Sequence, residues 1–153
     1  RMLVFSQFVG MLSILRDRLE ERSIDYCYLD GSTRQRGKVV ERFEQSSIPV
    51  FLISLKAGGT GLNLTGADTV LHFDPWWNPA VESQATARAH RIGQKKVVNN
   101  YKLIARQTIE ENILKMQSKK QQQLDTMLES GGHELGKSLA WDEIAALLDG
   151  DLK

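Results

Sequence analysis

Five short segments with strand-like patterns, separated by stretches with helical or turn patterns, constrain the possible fold more than any other feature of this sequence. They span residues 2–5, 26–29, 50–54, 69–73 and 97–104; the first four are largely apolar, and the last includes Asn99, Asn100 and Lys102. Continuous apolar runs of this length are typical of strands buried on both faces of a parallel sheet. Between them, residues 8–19 and 34–44 carry apolar side chains at helical spacing. This alternation predicts an α/β fold, a doubly wound parallel sheet with helices on both faces.

The composition is that of an ordinary globular protein and favours no particular class of partner. The formal net charge is +1, so any DNA binding has to come from local basic patches. Cys27 lies within an apolar run, which predicts a buried thiol. His72, His90 and His133 do not have metal-ligand spacing, and we predict no metal site. No apolar run reaches the ~18 residues that a membrane helix needs, so we expect no membrane partner.

Polar or glycine-rich turns follow four of the predicted strands. They span residues 6–7, 30–33, 54–63 and 74–78. In a parallel sheet these turns meet at the carboxyl edge, where α/β proteins bind their ligands. The third turn contains Gly58, Gly59 and Gly61, whose backbone N–H groups can hold anions, and Lys56 adds a positive charge. Taken alone, the same pattern is also typical of a flexible surface loop.

The chain contains neither of the two elements by which P-loop enzymes hold a nucleotide. The G-x-x-x-x-G-K-[S/T] spacing is absent, and no Asp-Glu pair ends a strand to hold Mg²⁺. If ATP with Mg²⁺ binds to this protein, its phosphates and metal must therefore be held mainly by another domain.

The segment from Pro79 to the residue before Gly93 predicts a helix with a basic face. Gln84, Arg88 and Arg91 would lie at roughly 0°, 40° and 340° around it. Guanidinium groups bind phosphate bidentately, so such a face could hold a phosphate. The helix by itself leaves open the alternative of a solvated basic face.

The alternation of strands and helices ends after the last predicted strand. We predict a lobe over residues 1–106, a long helix over 107–130, and a linker with a short C-terminal helix over 131–153. Thr108 and Glu111 have the spacing of a capping box that opens the long helix. The short helix is a candidate docking site for a protein partner.

Five segments together resemble the Swi/Snf-like ATPases, DNA-dependent members of the superfamily-two helicases. They are LVFSQF (3–8), YLDGST (28–33), SLKAGGTGLNL (54–64), FDPWWNP (73–79) and QATARAHRIGQ (84–94). The resemblance covers about residues 2–117 in order. It implies the second RecA-like lobe, the helicase C-terminal lobe, of a two-lobed ATP-driven translocase on double-stranded DNA. The long helix after this lobe resembles the family's brace segment. The first lobe, with the nucleotide-holding elements, would lie upstream in the same polypeptide.

The resemblance implies roles for particular residues in ATP hydrolysis. Arg88 and Arg91 match the family's arginine fingers, which reach across the lobe interface to the γ-phosphate. Gln84 matches a glutamine that lines the same cleft. Gly61 and Asn63 match the part of the glycine-rich motif nearest to the nucleotide. The resemblance therefore implies a DNA-dependent ATPase that uses ATP with Mg²⁺, the metal being held by the first lobe.

A second set of residues matches positions near the DNA backbone. They are Ser6, Gln7, Gly31, Ser32, Ser54, Lys56, Ala57 and Gly58. Backbone amides, small hydroxyls and a lysine can hold phosphates without reading bases, as a motor that moves along any sequence requires.

One departure from the family pattern leaves the function partly open. The family usually has an acidic residue just before the first finger, where this chain has Ala87. The alternatives are a non-catalytic α/β interaction module that keeps the motor scaffold, and a strand-separating helicase, which shares every motif. We expect the chain to be a fragment of a longer protein and to hydrolyse no ATP alone. The motif spacing favours a bacterial cytoplasmic protein at the nucleoid over a nuclear one.

Overall fold

A computed structural model describes residues 1–57, 61–90, 94 and 96–129, with side chains described to residue 122. The elements along the chain are β1 (Met2–Ser6), α1 (Val9–Glu21), β2 (Tyr26–Leu29), α2 (Arg36–Gln45), β3 (Val50–Ser54), β4 (Thr69–His72), α3 (Pro79–Thr86), β5 (Asn99–Lys102) and α4 (Ile109–Glu129). Four of the five strands coincide with the predicted runs to within one residue. None of the described helices combines the length and apolar character that crossing a membrane requires.

The five strands form one parallel sheet in the order β2-β3-β1-β4-β5. The chain reverses direction across the sheet after β2, so right-handed crossovers place α1 on one face of the sheet and α2 and α3 on the other. The doubly wound parallel fold predicted from the apolar runs is confirmed.

Side chains of alternate sheet residues confirm that both faces are covered. Val4 and Leu52 are paired in register and form a buried cluster with Leu12 of α1. On the opposite face, the ring of Phe51 packs 5.0 Å from that of Phe43 in α2. Successive strand residues point to opposite faces, so continuous apolar strands are needed to fill both layers. The strand Asn99–Lys102 is exposed along its length because it is an edge strand.

The helix predicted to run from Pro79 to residue 92 is shorter than expected. It begins at Pro79 but ends at Thr86. Beyond that point the N–H of Arg88 donates to the carbonyl of Ala85 at 3.2 Å, a tighter turn than an α-helix makes. The carbonyl of Arg88 accepts a hydrogen bond at 3.1 Å from Leu64, which lies outside the helix. The helical expectation for Arg88 is therefore wrong, because tertiary contacts replace the continuing helix.

The chain divides into two compact units. The first contains Arg1–Asp74 and Ala80–Leu103, and the second contains Pro75–Pro79 and the described chain from Ile104 onward. Within the second unit, the buried side chain of Gln117 donates a hydrogen bond to the carbonyl of Trp76. The Pro75–Pro79 segment thus packs with α4, an association that the sequence pattern did not suggest.

The start of α4 is capped differently from the predicted capping box. The Thr108 hydroxyl accepts a hydrogen bond at 3.2 Å from the N–H of Glu110 and donates at 2.8 Å to the carbonyl of Ala105. The Glu110 carboxylate, not that of Glu111, reaches back to the Ala105 N–H at 2.6 Å. Gln107 has a φ of 60°, so the chain turns back sharply and brings Ala105 within reach of Glu110.

Candidate functional site

The turns at the carboxyl edge of the sheet lie side by side, as parallel topology requires. Ser6 and Ser54 are paired in register at the ends of β1 and β3. The N–H of Leu55 donates at 2.9 Å to the carbonyl of Ser6, which continues the ladder past the strand end. The turn that contains Asp30 follows β2, which neighbours β3, and Asp74 follows β4, which neighbours β1 on its other side. Most of the predicted DNA-contacting residues therefore lie along one edge.

The Ser6 side chain is buried and already bonded within the protein. Its hydroxyl donates to a carboxylate oxygen of Asp74 and accepts a hydrogen bond from the N–H of Phe8 at 3.0 Å. The N–H of Gln7 donates to the other oxygen of the Asp74 carboxylate at 2.9 Å. These contacts fix the turn between β1 and α1, so Ser6 shapes this edge. A DNA contact by Ser6 or Gln7 stays a prediction.

The Asp30 carboxylate organises the turn after β2. One oxygen accepts hydrogen bonds from the N–H of Ser32 at 2.9 Å, from its hydroxyl at 2.7 Å, and from the Thr33 hydroxyl at 3.2 Å. These donors favour the charged form, and the Ser32 hydroxyl contributes most to holding the pKa of Asp30 below its ordinary value. Gly31 and Ser32 are exposed on this turn. The turn therefore presents both residues to solvent in a defined conformation.

The turn after β3 carries one exposed charged side chain, that of Lys56, beside buried residues. The Ser54 hydroxyl accepts a hydrogen bond at 3.2 Å from the N–H of Ala57, and both residues are buried. Lys56, between them, is exposed. Gly58 lies outside the described residues. Ser54 and Ala57 thus hold the turn that exposes Lys56, and a DNA contact by any of these residues stays a prediction.

The glycine-rich motif and the arginine-bearing turn are brought together. Gly61 has a φ of 47°, a left-handed conformation that glycine adopts without strain, and it is exposed, as is Asn63. The next residue, Leu64, is fully buried and donates its N–H to the carbonyl of Arg88 at 3.1 Å. The Arg88 residue is 6% exposed. The predicted nucleotide-binding residues therefore adjoin one of the two predicted fingers.

Gln84 and Arg88 do not lie on a common helical face. Gln84 is exposed on α3, but Arg88 lies beyond the end of that helix. Arg91 lies outside the described residues. The roles of Gln84, Arg88 and Arg91 therefore stay predictions, and the shared-face argument no longer supports them.

Gln94 is a site residue that the reading of the sequence missed. Its side-chain amide donates to the carbonyls of Ala67 at 2.7 Å, Thr65 at 3.0 Å and Ala89 at 3.3 Å. One side chain thus connects the segment after the glycine-rich motif to the turn that contains Arg88. The available signal was its position at the end of the QATARAHRIGQ segment, but a glutamine carries no indication of its partners.

A buried polar cluster anchors α3 to the sheet. Glu82 forms an ion pair with Lys102 of β5, and Lys102 lies in register with His72 of β4. The imidazole Nε2 of His72 lies 3.1 Å from the hydroxyl oxygen of Thr86. Burial lowers the pKa of His72, and the nearby Glu82 carboxylate opposes this shift. The cluster therefore favours a neutral His72 and holds the short helix at its first turn, through Glu82, and at its last residue, Thr86.

Because folding lowers the pKa of His72, we expect the chain to lose stability as pH falls below ~6.5. In that range the unfolded chain binds a proton that the folded chain excludes, so the free energy of unfolding rises with pH. The contribution from this one group is at most about 1.4 kcal/mol per pH unit. Urea unfolding of wild type and His72→Gln at neutral and mildly acidic pH measures it.

The expected result is a smaller pH dependence in the His72→Gln protein. His90→Gln is the matched control, since His90 is exposed in the same unit. Equal pH dependence in wild type and His72→Gln would exclude His72 as a source of the acid sensitivity.

The chain is similar to a known protein family and to several known proteins. Residues 1–93 match the family described as helicase conserved C-terminal domain. An uncharacterized ATP-dependent helicase of Mycoplasma pneumoniae is 48% identical over 125 residues, covering 80% of this chain and 12% of that protein. The chromatin-remodeling ATPase INO80 of Homo sapiens is 42% identical over 151 residues, covering 97% of this chain and 10% of that protein.

A solved structure extends the similarity to the fold. The crystal structure of the C-terminal part of the Fun30 ATPase domain matches with a TM-score of 0.74 at 35% identity, covering 94% of this chain and 42% of that chain. Among curated relatives that it matches, this chain spans between 8% and 15% of the protein's length.

Proposed function

We propose that this chain, which belongs to the family of helicase conserved C-terminal domains and within it to the Swi/Snf-like ATP-dependent helicases, is the second motor lobe of a double-stranded DNA translocase. The RecA-like fold expected of that lobe is confirmed. The relatives are much longer than this chain, so ATP hydrolysis and DNA movement are proposed for the complete protein, with a first lobe in the same polypeptide.

The observation that carries this proposal is the hydrogen bond from Leu64 to the Arg88 carbonyl, which joins the glycine-rich motif to the arginine-bearing turn. Gly61 and Asn63 beside it are exposed and so can reach a nucleotide in a partner lobe. Arg88 is largely withdrawn from water, where a guanidinium charge acts more strongly on developing negative charge. In this proposal Arg88 and Arg91 supply that charge to the γ-phosphate, and Gln84 lines the cleft.

The residues of this chain fit the part of an ATP site that does not hold the metal ion. Among the described residues, no group of three or more His, Cys, Asp or Glu side chains is arranged to hold a metal ion. The sequence also lacks both P-loop elements. We therefore assign Mg²⁺ and the phosphate cradle to the first lobe.

The carboxyl edge supports duplex DNA as the second partner. Lys56, Gly31 and Ser32 are exposed along it. Directly after Ser32, the residues around the start of α2 include Arg34, Arg36 and Lys38, and the first turn of that helix contains no acidic residue. A local basic patch attracts phosphates although the net charge of the chain is close to zero.

Replacing Lys56 by alanine in the full-length protein should weaken DNA binding in a salt-dependent way. Each phosphate contact that is lost reduces the slope of log affinity against log salt by about 0.9. Fluorescence anisotropy with a labelled duplex, titrated at several salt concentrations, measures this slope.

Arg22→Ala is the control for the Lys56 experiment, because Arg22 is exposed after α1, at the opposite edge of the sheet. We expect this control to keep the wild-type slope. A Lys56→Ala protein that also keeps the wild-type slope would remove Lys56 from the DNA contact.

One feature favours an alternative function, that of a non-catalytic scaffold. Ala87 stands where the family usually has an acidic residue, just before the first finger.

Measuring ATP hydrolysis by the complete protein with and without duplex DNA tests the proposed function. DNA-stimulated turnover supports the motor, and its absence supports the scaffold. Strand-displacement and triplex-displacement assays then separate a helicase from a translocase.

The setting and further partners of the protein also remain proposals. Relatives come from bacteria and from eukaryotes, and we propose a bacterial cytoplasmic location at the nucleoid, or a nuclear one in a eukaryote. The proposed docking helix within residues 131–153 lies outside the described residues.

A further inference from the structure

We propose that Gln94 is a positioning residue that sets the place of Arg88 relative to the glycine-rich motif; this rests on the proposed ATPase function. Gln94 lies six residues after Arg88 in the sequence, and its side chain reaches back to bridge two separate segments. Neither the family resemblance nor the charge pattern assigns it a role.

The Gln94 amide uses both its donor and its acceptor. Its Nε2 lies 2.7 Å from the carbonyl oxygen of Ala67, 3.0 Å from that of Thr65 and 3.3 Å from that of Ala89. Its Oε1 accepts a hydrogen bond from the N–H of Lys96 at 2.9 Å. An amide NH₂ has two hydrogens, so three carbonyl oxygens share them, and the longest contact is the one to Ala89. The side chain thus connects backbone groups from three parts of the chain.

The two bridged segments are packed and joined at a second point. Leu64, Ala67 and Ala89 are buried, and Leu64 donates its N–H to the Arg88 carbonyl at 3.1 Å. A single hydrogen bond allows one segment to rotate about the other. The Gln94 bridge adds a separate contact at Thr65 and Ala67 and so restrains both distance and orientation. Arg88 is itself the first attachment point, and the Gln94 contact is made at the next residue, Ala89.

Two other polar contacts near the motif act on α3. The His72–Thr86 contact and the Glu82–Lys102 ion pair hold α3, which ends before Arg88. Ala87 is exposed and has no polar side-chain atom with which to orient its neighbours. Gln94 is a polar side chain that contacts the backbone of this turn at Ala89, two residues after position 87.

Two substitutions separate hydrogen bonding from packing. Gln94→Glu keeps the shape but turns a carboxylate oxygen toward three carbonyl oxygens, so attraction becomes repulsion. Gln94→Met keeps the approximate length without charge or N–H donors. If hydrogen bonding positions Arg88, the turnover number for DNA-stimulated ATP hydrolysis should decrease in the order wild type, Gln94→Met, Gln94→Glu.

The experiment uses the full-length protein and three measurements: the turnover number, the dissociation constant for duplex DNA, and deuterium uptake of the peptide spanning residues 61–67. We expect Gln94→Glu to lower turnover by roughly ten- to a hundredfold, since small misplacements of catalytic groups have effects of this size. Uptake at 61–67 should rise, and DNA affinity should stay within about twofold because the exposed edge residues are untouched. Gln45→Glu is the matched control: it makes the same change on the exposed face of α2, where the Gln45 amide donates to Glu41 at 3.0 Å, and it should leave turnover and uptake at 61–67 at wild-type values.

The measurements distinguish a failure of the Gln94 positioning role from a failure of the proposed ATPase function. Lower turnover together with higher uptake at 61–67 and unchanged DNA affinity supports the positioning role. Unchanged turnover, with or without higher uptake, overturns it. If Gln94→Glu is globally unfolded, the ranking of Gln94→Met against wild type decides the question. If the wild-type protein shows no DNA-stimulated hydrolysis, the proposed function fails and the positioning role fails with it, whereas the uptake measurement still reports whether Gln94 holds the two segments together.

Discussion

Replacing Arg91 by alanine in the full-length protein is expected to reduce DNA-stimulated ATP hydrolysis at least about a hundredfold, with little change in DNA affinity. The same result is expected for Arg88→Ala. An arginine finger acts on charge that develops in the transition state, so its loss lowers turnover more than it weakens binding. The residues proposed to contact DNA lie in other turns of the carboxyl edge, which explains why affinity should persist. Steady-state ATP hydrolysis with saturating duplex DNA, together with a DNA-binding titration, measures both quantities.

The arginine experiment needs controls for charge and for stability. Arg88→Lys keeps a positive charge but loses the planar fork that binds phosphate bidentately, and it should recover only part of the lost activity. Arg18→Ala removes an arginine from the exposed face of α1, where Arg18 pairs with Glu21, and should leave turnover unchanged. Arg88 is buried, so its variants also require a thermal unfolding measurement. Wild-type turnover in a folded Arg91→Ala protein would refute the finger assignment.

The 153-residue chain on its own is expected to hydrolyse no ATP. Hydrolysis in P-loop motors needs a phosphate cradle, a lysine and a carboxylate-held Mg²⁺, and the sequence contains no P-loop of this type. Positive charge from Arg88 and Arg91 cannot replace these groups, because it stabilises a transition state that must first be assembled. A sensitive phosphate-release assay with purified chain, ATP, Mg²⁺ and duplex DNA tests this expectation.

The control for the isolated chain is the same preparation carrying Arg88→Ala. Background hydrolysis by a contaminant would be equal in both preparations. Hydrolysis that the substitution abolishes would show that this chain contains a complete active site, and the two-lobe proposal would then be wrong.

The fold could be predicted from the sequence because its cause is local and repeated. Runs such as Val50–Ser54 are apolar at every position except the last, and a strand that is apolar on both sides needs cover on both faces. This requirement selects the parallel, doubly wound sheet that the structure contains. Cys27, predicted to be buried, is buried, and burial raises its pKa.

For some site residues, only their place at the sheet edge could be predicted from the sequence. For Gln94, neither its place nor its contacts could be predicted. Parallel topology placed the turns after β1, β2 and β3 at one edge, as expected. The shared face of Gln84 and Arg88 failed, because helical periodicity describes an isolated helix and takes no account of the Leu64 hydrogen bond. Gln94 could not be predicted because its partners are backbone carbonyls, which every residue has.

By itself, the sequence determined the layers of this protein, the sheet edge at which its polar turns meet and the family to which its motifs point, since apolar periodicity and motif order are properties of the chain. Only the tertiary structure decided where α3 ends, which turn residues are buried and which side chain bridges the turn that contains Arg88 and the segment after the glycine-rich motif. The physical reason is that those features depend on hydrogen bonds between residues more than twenty positions apart, such as Leu64 with Arg88 and Gln94 with Ala67.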